Sequence, residues 1–366
     1  MPAPYDLSAF APSYRAARAL FLDAAEQAAL DVQSHVHPLL GSDGEQLAMD
    51  VVLDGPAHAR ELLIISSACH GLEGFCGSGV QVSLLRDAAW REQLSQSGVA
   101  VLYIHALNPY GFSWLRRVTQ ENVDLNRNFV DFNQPLPQNP GYAQLVGYVV
   151  PPNWPPSAEN ETHIQAYANA HGPLALQEAL SGGQYQDPEG IFFGGHNPTW
   201  SHVTLRHVLQ EHARHAGHLG WIDLHTGLGP SGHGERIAMH AGGSAGLARA
   251  RAWWGSQVTC LDDGSSSSAP LRGLMWNAAE QECPQAQYTG IALEYGTQSV
   301  EQVMNALRAD QWLENHPQAD AATREPIKRQ VLEAFYVDTP GWKQQILQQG
   351  FEAVQLALVG LQNTRS

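Results

Sequence analysis

Short apolar runs that alternate with segments of helical period constrain this chain to a layered α/β fold. The runs at 47–53, 62–66, 99–105, 219–224, 236–240 and 288–293 read as strands. Segments 13–35, 80–94, 161–179, 201–215 and 245–255 read as helices, and 298–360 is largely helical by the same periodicity. Strand–helix–strand alternation argues for a central mixed, mainly parallel twisted sheet with helices on both faces. A length of 366 residues with 43% hydrophobic content can bury one such core, and a single domain over 1–366 is expected. Seven prolines between Pro135 and Pro156 interrupt the pattern and predict an extended surface excursion over 130–159.

Composition narrows the partners. The formal net charge of −16 and the lack of any basic run argue against nucleic acid and anionic membrane surfaces, which require clustered Lys and Arg. No run of about 18 apolar residues is present, so no membrane span is expected. The opening Met1-Pro2-Ala3-Pro4 starts no cationic-then-apolar segment, so no secretory signal and a cytoplasmic location are expected. Cys69, Cys76, Cys260 and Cys283 form no CxxC pair and are expected to be reduced thiols. Nothing in the sequence sets the oligomeric state.

The residues that carry chemistry stand where three strands end. The run Glu61–Ser67 leads into Cys69-His70-Gly71-Leu72-Glu73, Ile222-Asp223-Leu224 leads into His225, and Ile291-Ala292-Leu293 leads into Glu294. Catalytic groups in open α/β sheets gather at such carboxyl ends. Two His and one carboxylate form the ligand set of hydrolytic zinc sites with an open position, although Mn, Fe or Co also accept it. Cys69 alternates with His70 along the strand and is expected to point away. An acidic residue ending an apolar strand, as Glu294 does, is costly to bury unless it is paired or functional. A general base for zinc-activated water is one such function. The segment 116–129 holds Arg116, Arg117, Asp124, Asn126 and Arg127 within fourteen residues. Arginine forks suit a carboxylate or the charge developing on a carbonyl oxygen.

In this order, His70-x-x-Glu73, Asn108-Pro109-x-Gly111 with Asp124-Leu125-Asn126-Arg127-Asn128-Phe129, His225 and Glu294 resemble the zinc metallocarboxypeptidases of the carboxypeptidase A type. The resemblance covers about 45–300 and extends to the aspartoacylase and succinylglutamate desuccinylase enzymes. The segments 190–200 and 294–297 look most like a bacterial branch known mainly as a domain of unknown function. The resemblance implies one zinc per chain held by His70, Glu73 and His225, with Glu294 as general base. It implies that Asn126 and Arg127 hold a substrate carboxylate and that Arg117, or else Arg116, stabilises the oxyanion. Asp124 would hold the other nitrogen of His70. One departure concerns the mobile-loop Tyr of these enzymes. The corresponding 265–277 has none and offers Arg272 and Trp276 instead.

The expected activity is hydrolysis of an amide bond near a carboxylate on a short peptide or other small molecule, carboxypeptidase action first. An acyl-amino-acid amidohydrolase is the alternative within the class, and a catalytically silent binding protein the alternative outside it. Tyr185, Phe192, Phe193 and Trp200 are expected to help line the cleft. The run His212-Ala213-Arg214-His215-Ala216-Gly217-His218 is read as a solvated helix end rather than a second metal site.

Overall fold

The computed structural model of the chain describes residues 5–365. Met1–Pro4, where no signal segment is expected, lie outside the described residues. Among the described residues, seven strands form one sheet: β1 (Val32–Leu40), β2 (Gln46–Asp54), β3 (Glu61–Ser67), β4 (Ala100–His105), β5 (His218–Gly227), β6 (Gly234–Ala238) and β7 (Gln287–Gly296). Their order is β1-β2-β4-β3-β5-β7-β6. The four central strands β4, β3, β5 and β7 are mutually parallel, and β1, β2 and β6 add antiparallel flanks. Every position of β3 and β4 is buried, which requires cover on both faces.

Thirteen α-helices are present among the described residues. In chain order the first four are α1 (Tyr14–Gln27), α2 (Gly74–Arg86), α3 (Ala88–Ser97) and α4 (Pro109–Ser113). Next come α5 (Pro140–Val149), α6 (Ala158–His171), α7 (Pro173–Ser181) and α8 (Trp200–His212). The last five are α9 (Ala245–Trp254), α10 (Asn277–Glu282), α11 (Val300–Asn315), α12 (Ala321–Phe335) and α13 (Pro340–Gln362). Alternate strand residues feed opposite cores. Leu63, Ile65, Ile222, Leu224 and Leu293 pack with α1, α2, α3, α9 and α13 through residues such as Phe21, Val80, Trp90, Trp254 and Ile346. Leu62, Ile64, Leu219, Trp221 and Ala292 pack on the other face with α8 and α10 through Leu205, Val208 and Ala279. No helix among the described residues is long and apolar enough to cross a membrane. The four cysteines are buried and unpaired.

Where helices depart from the periodic reading, local backbone chemistry explains it. The N-terminal helix stops at Gln27 rather than at 35, because Ala29 takes a left-handed φ of 57° and β1 follows from Val32. The helix expected at 80–94 is two, broken at Asp87, whose extended backbone and side chain cap Trp90 N. The helix expected at 161–179 is also two, broken by Gly172 at φ 92° and Pro173 at the first turn of α7. The proline-rich excursion is not simply extended. Pro140 opens α5 behind an Asn139 cap, since proline is tolerated at a helix start. α5 and α7 then pack through Tyr142, Leu145 and Leu180 against α11 and α12, and this third layer includes Leu72 from the His70 turn.

Two features hold the turn after β3. Gly71 lies so close to α4 that a Cβ would meet Gly111 C at 2.0 Å and Phe112 N at 2.3 Å. Its N–H donates to Arg117 O at 3.0 Å, and Leu72 N donates to Arg116 O at 3.1 Å. The Arg116 side chain is anchored in turn by Asp310 of α11 at 3.3 Å, which also pairs with Lys328 of α12 at 2.7 Å. Burial alone would raise the Asp310 carboxyl, but Lys328 and Arg116 hold it below the usual carboxylate range.

Removing one partner of a buried pair leaves an uncompensated charge, at a cost of about 3–5 kcal/mol. Glu314 stays 3.6 Å from Arg116 and 3.5 Å from Lys328. Asp310→Asn should therefore lose about 3 kcal/mol, the low end of that range, in urea unfolding at neutral pH. A group whose folded pKa is depressed stabilises fully above its unfolded value, about 3.9, and loses that contribution as pH falls through the folded one. The gap between wild type and Asp310→Asn should therefore close below about pH 4; equal stability at neutral pH would contradict the assignment.

Candidate metal centre

Three parallel strands deliver the site. β3 ends in a turn at Ala68 (φ 56°), which carries His70, and Glu73 sits in the single 3-10 turn Gly71–Glu73 that opens α2. His225 lies near the end of β5, directly opposite Glu294 of β7 in register. Glu73 is 1% exposed, and its two carboxylate oxygens face two imidazoles. Oε1 is 2.8 Å from His70 Nδ1, and Oε2 is 2.9 Å from His225 Nδ1. Thr226 N donates to Oε2 at 3.2 Å. Ligand atoms of all three side chains lie within 4.8 Å of one another.

The far nitrogen of each imidazole meets a second buried carboxylate. His70 Nε2 is 3.1 Å from Asp124 Oδ1, and His225 Nε2 is 2.5 Å from Asp223 Oδ2. Asp223 is the residue that sequence reasoning misses. It sits two positions before His225, on the same strand face, and that period-2 placement is the signal that could have found it. Cys69 does not point clear of the site, since its sulfur forms a second compact group with Asp223 and His225 within 4.8 Å.

The arginines divide. Arg117 lies against the centre: Nε donates to Asp124 Oδ2 at 3.1 Å, Nη1 to Glu73 Oε1 at 3.1 Å, and Nη2 is 2.8 Å from His70 Nε2. Arg116 turns away to Asp310, Asn122 and Gln311 and lies outside the cleft. Arg127 is 2% exposed and lines the cleft. Its Nε and Nη2 donate to Ser181 O at 3.1 and 2.7 Å, and Nη1 donates to Asn126 O at 2.8 Å. Of five N–H groups, one on each terminal nitrogen remains. Asn126 Oδ1 accepts from Met275 N at 2.8 Å. Arg272 is exposed, 3.8 Å from Glu178, and does not line the cleft, whereas Trp276 does.

Ionisable groups crowd this cluster. Glu73, Asp124, Asp223 and Glu294 supply four carboxylates, and Arg117 and Arg127 supply two guanidinium groups. Burial opposes ionisation of Glu73, but His70 and His225 hold it well below the usual carboxylate range. Burial likewise opposes the charged form of His225, but Asp223 and Glu73 hold it well above the usual imidazole range. Glu294 goes the other way: desolvation, then the Glu73 charge, push it up to about 7. Its side chain is only partly buried at the cleft, and its Oε1 accepts from Leu228 N at 3.0 Å.

The cleft over this centre encloses a cavity of about 110 Å³. Its apolar lining comes from Val303, Met304 and Leu307 of α11, Phe335 of α12, and Leu271 and Trp276. Of the four aromatics expected there, Phe192 alone lines it. Phe192 adopts φ 53°, an uncommon conformation for a bulky residue, and its ring lies 5.3 Å from the Arg117 guanidinium and 5.7 Å from that of Arg127. Tyr185 Oη supports the site from behind by donating to Arg127 O at 2.6 Å, Phe193 O accepts from Asp124 N at 2.8 Å, and Trp200 packs on His37. In the 212–218 run, His212 Nε2 meets Gln33 Oε1 at 2.9 Å, and no metal-ligand group forms there among the described residues.

Solved structures similar to this chain include metallo-carboxypeptidases. One from Burkholderia cenocepacia is 12% identical, with 95% of this chain and 69% of that one covered and a TM-score of 0.43. One from Pseudomonas aeruginosa, solved with (2-guanidinoethylmercapto)succinic acid, is 12% identical over 93% and 68%, with a TM-score of 0.43. Thrombin activatable fibrinolysis inhibitor is 11% identical over 92% and 73%, with a TM-score of 0.44. No curated protein matches the chain. A family model described as "Protein of unknown function (DUF2817)" matches residues 10–349, and the chain belongs to that family.

Proposed function

We propose that this chain is a metal-dependent hydrolase of amide bonds, holding one zinc at His70, Glu73 and His225 and acting as a carboxypeptidase on short peptides. One observation carries the reading. Two imidazoles turn Nδ1 toward a single carboxylate while buried carboxylates hold both Nε2 atoms, at 3.1 and 2.5 Å. Metal-ligating His characteristically has such a partner on its other nitrogen. The residues fit a divalent cation electrostatically as well, since the buried carboxylates of Glu73, Asp124 and Asp223 crowd the two imidazoles. A bound zinc ion would supply Lewis acidity and lower the pKa of water towards ~7.

The chain's own groups then divide the work. Glu294 stands opposite His225, fixed by Leu228 N, and takes the proton of the attacking water and returns it to the leaving nitrogen. Arg117 keeps at least one unused N–H on each terminal nitrogen beside the ligands, suited to the negative charge that develops on the carbonyl oxygen. The two remaining N–H groups of Arg127 form a fork for a substrate carboxylate, and Asn126 Nδ2 has no protein partner among the described residues. The apolar walls from α11 and Phe335 suit an uncharged substrate side chain.

Peptide pairs that differ only in a free or amidated C-terminus test this reading, with acylated amino acids as a second arm. Release of the last amino acid from free-C-terminus peptides with apolar side chains is expected, abolished by chelation and restored by zinc. Release of a small acid from acylated amino acids alone would favour the amidohydrolase, and binding without cleavage across the panel would leave a silent binding protein. Glu294→Gln should lower kcat by about 10²- to 10⁴-fold while zinc content is unchanged; an undiminished kcat removes Glu294 as the base. Arg127→Met should raise KM for free-C-terminus peptides and leave amidated ones unaffected, and an equal effect on both would rule out the carboxylate fork.

A further inference from the structure

We infer that Trp221, Ser66 and Asp223 form a buried positioning relay that fixes the tautomer and aim of His225. The inference rests on the metal-centre reading and assigns residues outside the ligand set. Trp221 Nε1 lies 2.7 Å from Ser66 Oγ, Ser66 Oγ lies 2.6 Å from Asp223 Oδ1, and Asp223 Oδ2 lies 2.5 Å from His225 Nε2. Trp221, Ser66 and Asp223 are 0% exposed, so water does not compete for these bonds.

The direction of each bond follows from the first. An indole N–H can only donate, so the Ser66 hydroxyl accepts there. Its single proton then goes to its one other partner, Asp223 Oδ1. Asp223 is thus an acceptor, and its second oxygen takes the proton on His225 Nε2. In the neutral ring this leaves the lone pair on Nδ1, the nitrogen that faces Glu73 at 2.9 Å. A donor-only side chain on the interior of β5 therefore selects the imidazole tautomer able to ligate on the Glu73 side.

The two imidazoles are not held alike. Asp124, on the His70 side, shares its oxygens with Asn126 N at 3.0 Å and Arg117 Nε at 3.1 Å, and Arg117 Nη2 itself approaches His70 Nε2. Apart from His225, the Asp223 carboxylate has only Ser66 as a hydrogen-bond partner among the described residues. Cys69 sets the rival arrangement, because with Asp223 and His225 it forms an alternative ligand group in which Asp223 would itself bind metal.

Zinc affinity of the full chain, measured by chelator competition, tests the relay, with circular dichroism and Tm to establish folding. Asp223→Asn should weaken zinc binding by about 10- to 100-fold, and Ser66→Ala by less. The double variant should bind no more weakly than Asp223→Asn alone, because Ser66 acts through Asp223. A purely structural role would not produce that coupling. The relay is overturned if both folded single variants hold zinc as tightly as wild type, or if their losses add. It is also overturned if the cobalt-substituted protein shows a thiolate charge-transfer band that Cys69→Ser removes, which would place the metal on the rival group. Should Asp223→Asn not fold, Ser66→Ala decides alone: weakened zinc binding at unchanged Tm supports the relay, and unchanged binding overturns it. Wild-type protein that binds no zinc would instead defeat the metal-centre reading itself.

Discussion

The Glu73 carboxylate, enclosed between the Nδ1 atoms of His70 and His225, is the constraint around which the rest of the molecule is arranged. A charge 1% exposed is tolerable only with full compensation. Thr226 N, two imidazoles and Arg117 provide it from three separate segments. Each of those groups needs a partner of its own, and the demand is passed outward to Asp124 and Asp223. The sheet makes this affordable in geometry, since three parallel strands bring their carboxyl ends to one edge and the helices bury both faces behind them.

The layers around the site have separable tasks. The turn after β3 is pinned by the close approach of Gly71 to α4 and by the carbonyls of Arg116 and Arg117. Arg116 then ties that turn through Asp310 to α11 and α12, the same helices whose other residues wall the cleft. Neighbouring arginines thus serve opposite ends of one connection: Arg117 faces the centre and Arg116 faces the scaffold. The segment around Phe192 closes the arrangement from the third layer, with its strained backbone held by Gln184 N at 3.1 Å and its ring across both cleft arginines.

Much of this is legible in the sequence where a polar residue closes an apolar run, as His225 and Glu294 do, because burying such a group demands a reason. Alternation of strands and helices likewise exposes the mixed sheet. Asp223 is hidden for the opposite reason: it lies inside an apolar run, and its partner Ser66 comes from 157 residues upstream. Breaks at Asp87 and Gly172 escape periodicity because the interruption is one of capping and φ. Nor does adjacency distinguish Arg116 from Arg117. Their divergence depends on Asp310, 194 residues away in sequence.

The central claim is the position of the metal. Anomalous diffraction at the zinc edge from crystals grown with zinc tests it most directly. The account predicts one strong peak per chain at about 2.0–2.2 Å from His70 Nδ1, His225 Nδ1 and a Glu73 oxygen. A peak among Cys69, Asp223 and His225, or none at either position, would contradict it.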